Sequence, residues 1–138
     1  MARPVKGKWI VKQLPKTASV TFTNGDLVQM TSGYVATATA QSTENHGIIL
    51  TAVTSGDSDF ASATKVPVAV PAEPSAEFEC TVTGTLATTS IGEGYDLSTA
   101  GLVNVAGTTY KVALCTGYIS TAKGRFILSG NAAYTHKQ

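Results

Sequence analysis

The chain has 138 residues, 43% hydrophobic and 14% charged, with ten Lys and Arg against nine Asp and Glu. That length suits one domain whose core needs no metal or disulfide staple, and a net charge of +1 is too weak a field for a direct nucleic-acid partner or a polybasic membrane protein. No apolar run reaches the roughly 18 residues of a membrane span, and Met1-Ala2-Arg3-Pro4 opens no signal-peptide core, so the expected product is soluble and made in the cytoplasm.

Thr, Ala, Ser, Val and Gly dominate, a mixture poor in helix formers, which points to an all-β protein. Charge is unevenly spread. Arg3, Lys6, Lys8, Lys12 and Lys16 are met by no acid in the first sixteen residues, whereas positions 17 to 110 hold all nine acids against Lys65. The chain divides on this basis into a basic N-terminal arm, 1–17, and a β-domain, 18–138. Such an arm can meet the acidic body of another copy or remain a solvated tail.

In chain order, Lys8 to Gln13 reads as a short strand or extended arm ended by Pro15, with Trp9 as an interface anchor or a cap on its own core. Ser19 to Thr23 alternates Val20 and Phe22 with polar residues, and Asn24-Gly25-Asp26 turns it into Leu27 to Thr31 as a hairpin. A turn at Ser32-Gly33 leads to Tyr34–Ala40; a polar loop, Gln41 to His46, precedes a strand from Gly47 to Val53. Lys65 to Val70 places Val66, Val68 and Val70 on one face, with Pro67 suggesting an edge strand or a bulge. Glu77 to Thr83 is a further strand, in which Cys80 shares a face with Phe78 and Val82 as a buried thiol would. Ala87 to Gly101 reads as a glycine-rich loop; three strands follow, at Leu102–Val105, Tyr110–Ile119 and Arg125–Leu128. The spacing of these elements predicts a compact β-barrel or sandwich.

Motifs for catalysis are missing. There is no Gly-x-Ser-x-Gly, His-Glu-x-x-His or phosphate loop, and His46 and His136 are not placed beside a nucleophile. Glu93 and Asp96 could form an acid/base pair, but carboxylates accepting backbone hydrogen bonds are the better reading. Asp57-Ser58-Asp59 starts like a calcium loop and lacks its remaining ligands, so it reads as a turn. No catalytic, cofactor or metal residues are assigned.

Several segments together resemble the small capsid decoration, or cement, proteins of tailed bacteriophages: Asn24-Gly25-Asp26-Leu27-Val28, Ser32-Gly33-Tyr34-Val35, Gly47-Ile48-Ile49-Leu50, Lys65 to Val70, Ala76 to Cys80 and Ile91-Gly92-Glu93-Gly94-Tyr95-Asp96-Leu97. The likeness covers roughly residues 18 to 130 and consists of turns and valines rather than a dense motif. It implies a small β-barrel or β-tulip-like domain that binds the outer surface of an expanded icosahedral shell. The partners it implies are the major capsid protein lattice and the chain's own copies, as a homotrimer, with the virion as its location. On that reading Lys6, Lys8, Trp9, Ile10 and Lys12 are interface candidates, and Tyr95 and Asp96 a second contact. A tail-tube or receptor-binding domain is the alternative virion reading. A carbohydrate-binding module ranks third, because the aromatics are scattered rather than gathered on one face, and a small enzyme ranks last.

Overall fold

Alternation of β-branched and aromatic residues with polar ones dictates strands, and in a computed structural model, which describes residues 1–39, 46–99 and 101–128, the regular structure is almost entirely strand. The strands are β1 (Ala2–Lys6), β2 (Trp9–Pro15), β3 (Leu27–Thr31), β4 (Tyr34–Thr37), β5 (His46–Ile49), β6 (Lys65–Pro71), β7 (Glu77–Thr83), β8 (Gly94–Leu97), β9 (Val103–Asn104), β10 (Ala113–Ser120) and β11 (Lys123–Leu128). One 3-10 turn, Thr88–Ser90, interrupts them. The all-β expectation holds.

Two sheets result. In the first, β7, β11, β10, β8 and β9 follow one another antiparallel, and β9 returns to the end of β7 in parallel, Val82 opposite Val103, closing a five-stranded barrel. β1 lies along the first half of the same β7 edge, Ala2 opposite Cys80. The second sheet runs β2-β6-β5-β3-β4, and its ends approach where Thr17 N–H donates to Val35 O at 3.0 Å.

The alternation along β6 explains how the two sheets share a body. Val66, Val68 and Val70 point to one side as expected, into a core with Phe22, Val28, Val35, Ile49 and Val53. Ala69 points the other way, with Leu27 and Ile48 of the neighbouring strands, into a larger core built on Phe78, Cys80, Leu97, Cys115 and Phe126. Each large side chain so buried stabilises the fold by about 1.5–3 kcal/mol. Gly33 turns β3 into β4: Ser32 and Gly33 both have positive φ, 52° and 89°, the type I′ geometry that matches strand twist.

Several expectations change. Residues 1–17 run as β1 and β2, each paired with strands of its own chain, so Lys8–Gln13 does not leave to complete a neighbour's sheet. The cause is local: Ile10, Val11 and Leu14 are strand formers, and β6 offers seven residues of continuous register. Pro67 lies on the interior strand β6 between β2 and β5. It is tolerated because its backbone faces β5 where that strand ends; its carbonyl accepts from Leu50 N at 2.9 Å and no ladder donor is missed.

The segment before Asn24-Gly25-Asp26 forms no hairpin with β3. Phe22 instead exchanges hydrogen bonds with Val53, and Gly25 N–H donates to Ile49 O. The glycine-rich excursion contains β8, because Tyr95 and Leu97 are drawn into the large core. Ala40, the loop 41–45, the His46 side chain and residues 129–138, with His136, lie outside the described residues.

Candidate interface

The outer face of the β1-β7-β11 layer is built by period two on each strand. Arg3 pairs with Glu79, and Glu79 with Arg125, so one row across three strands carries a cation, an acid and a cation on the same side. Arg3 Nη2 and Lys123 Nζ each lie 3.3 Å from a different Glu79 oxygen. Burial works against the charge on Glu79, but Lys123 and Arg3 outweigh it and hold the carboxyl below its ordinary value. Arg125 remains exposed, its stem lying across Gly117 of β10. Lys6 stands opposite Glu77, whose Oε1 accepts from the Thr116 hydroxyl at 3.1 Å. Three cations around one shared acid leave the row net positive.

From this layer the chain passes through Gly7 and Lys8 to β2. Lys8 N–H donates to Glu73 Oε1 at 3.2 Å, and Trp9 Nε1 donates to Lys6 O at 3.1 Å. The Trp9 ring meets Phe78 edge-on, with centroids 6.3 Å apart. Trp9 thus caps its own core. Ile10 and Val11 keep 43% and 56% of their surface in water, and Lys12 is half-buried. Period two along β2 puts Lys8, Ile10 and Lys12 on one face and Trp9 on the other, while Lys6 ends β1, so of the five candidates only Lys8, Ile10 and Lys12 share a strand face.

Tyr95 and Asp96 are not part of that surface. Tyr95 is 6% exposed and Asp96 4%, both enclosed on β8, which withdraws them as a second contact. Asp96 Oδ1 accepts from the N–H groups of Tyr110 (2.6 Å) and Lys111 (2.8 Å), and Oδ2 from Thr109 at 3.2 Å. Its role is to fold the segment before β10, the backbone-bonded alternative to acid/base chemistry. Asp57 is likewise a turn residue, its Oδ2 taking Thr54 N–H at 3.0 Å. Among the described residues no three His, Cys, Asp or Glu side chains gather as a metal site.

No family model, curated protein or solved structure matches the chain. The surface is thus defined by its own geometry. Arg3, Lys123 and Arg125 were not among the sequence candidates, although Glu77 and Glu79, and Lys123 and Arg125, alternate at the period that puts each pair on one strand face. Which strands lie beside each other could not be read from that period.

Proposed function

We propose that this chain is a capsid decoration protein, which binds the outer surface of an expanded icosahedral shell as a trimer and stabilises it. The observation that carries the reading is the row of Arg3, Lys123 and Arg125 around Glu79, which is net positive and faces outward. A net-positive face suits an acidic, repeating surface, and three linked subunits need only modest affinity each. The order of turns and strands that resembles cement proteins supports the same reading.

The test mixes the full chain with expanded, undecorated shells and pellets them. Co-sedimentation that saturates is expected, weakened about tenfold or more by the double variant Arg3→Glu, Arg125→Glu, and weakened also by salt. A protein that stays in the supernatant at every concentration overturns the proposal, and rings or tubes formed without shells would favour a tail-tube subunit.

A further inference from the structure

β2 is the outermost strand of its sheet, and the phase of its hydrogen bonds can be read from its ends. Lys8 O accepts from Ala72 N at 2.9 Å, Lys16 N donates to Thr64 O at 3.0 Å, and the register between Trp9↔Pro71 and Pro15↔Lys65 has no irregularity. In an antiparallel ladder the N–H and C=O of one residue point the same way. Even-numbered residues of β2 therefore face β6, and Trp9, Val11 and Gln13 turn their backbone groups outward. Among the described residues nothing pairs with these groups. Farther along, Pro15 has no N–H and Thr17 N–H is taken by Val35 O.

We infer that this open edge pairs antiparallel with the same edge of a second copy, about a two-fold axis at Val11. The edge is self-complementary. Val11 faces the second copy's Val11 and Trp9 faces its Gln13, each pair exchanging both N–H···O bonds, and no proline falls within the window. Lysines on an edge ordinarily guard against pairing, but in this register Lys12 stands opposite Ile10 and Lys8 opposite Leu14, so no lysine of the window directly opposes another, and the diagonal approach of Lys12 to the second copy's lysines makes the pairing tighten with salt. Charge also matches end to end. The Lys6 and Lys8 end of one β2 approaches the far end of the other, where the loop tied to Lys16 exposes Asp57 and Asp59. The contact covers Ile10 and Val11, two of the large apolar side chains left in water. It goes beyond shell binding and does not depend on it.

The test is the mass of the full chain in solution by sedimentation or light scattering, with Val11→Pro as the variant. Proline at 11 removes an outward N–H and leaves the β6 ladder whole, so the fold is retained by circular dichroism while the mass is halved. Wild-type protein that shows no two-fold step up to about 1 mM overturns the inference, as does an assembly whose mass Val11→Pro leaves unchanged. Should the proline variant not fold, Val11→Cys replaces it: a disulfide-linked dimer is expected on mild oxidation, because opposed residues at that spacing lie within bonding range. Cross-linking no faster than for the exposed Thr83→Cys counts against the contact. A monomer that binds shells through a Val11-sensitive edge would give this edge to a strand of the shell instead, and also overturns pairing with a second copy.

Discussion

The Lys16 ammonium lies 2.5 Å from the carbonyl oxygen of Ser62, inside the protein, and reaches the carbonyls of Asp59 and Phe60 at 3.1 Å as well. The side chain is 1% exposed, so its three N–H donors are matched by three backbone acceptors, the condition under which a buried lysine is tolerated. A residue that reads in sequence as part of a basic arm is instead the anchor of the loop between β5 and β6.

Lys16→Met keeps the aliphatic stem and leaves those carbonyls without their donor. A loss of about 2–4 kcal/mol is expected, less than the sum for three orphaned acceptors because water reaches the exposed loop. Urea unfolding measures it, and the 54–64 loop should be nicked faster by protease. An unchanged midpoint would mean that the loop is held by other contacts.

Asp96→Ala should cost about 1–3 kcal/mol, because three part-buried N–H groups lose their acceptor at once. Asp96→Asn retains one oxygen and turns an amide donor toward the same N–H groups, so it should recover little. Thermal unfolding of both variants, with hydrogen exchange at Thr109, Tyr110 and Lys111, distinguishes this from a general loss of packing.

The ion pairs of Glu79 set a pH dependence of definite sign. Its carboxyl is lowered in the folded state, so the contribution is present above the unfolded value and is lost as pH falls through the folded one. The stability difference between the wild type and Glu79→Gln should therefore be largest near neutrality and shrink between about pH 5 and pH 3. It should also shrink with added salt, since Arg3 is largely in water. A difference that grows toward acid pH would contradict this assignment.

Both cysteines are free and buried, Cys80 pushed up to about 11 by burial, partly offset by the Val103 backbone, and Cys115 raised by burial. A thiol-reactive dye at pH 8 should label neither in the native protein and both after unfolding. Fast native labelling of one thiol would reveal local opening of the large core.

Deletion of residues 2–12 does not isolate an arm. It removes β1 and most of β2, taking a strand from each sheet, and the expected outcome is loss of cooperative unfolding. Point substitutions at Arg3, Val11 and Arg125 are the appropriate probes of the surface.

The residues of Lys65–Val70 carry their own instruction: alternation at period two puts Val66, Val68 and Val70 on one side whatever the neighbours are. The Ser32-Gly33 turn and the all-β class are equally local properties, and the sequence alone determined them. β8 was obscured by flanking glycines, which mark turns but cannot reveal that Tyr95 and Leu97 will find a core.

Only the tertiary structure decided that Lys16 is buried, that Asp96 is an internal scaffold, and that Arg3, Glu79, Lys123 and Arg125 form one row. These facts depend on which strand lies beside which and on the stagger with which each sheet closes. Period two assigns a side chain to a face, but non-local pairing assigns that face to core, solvent or an open edge.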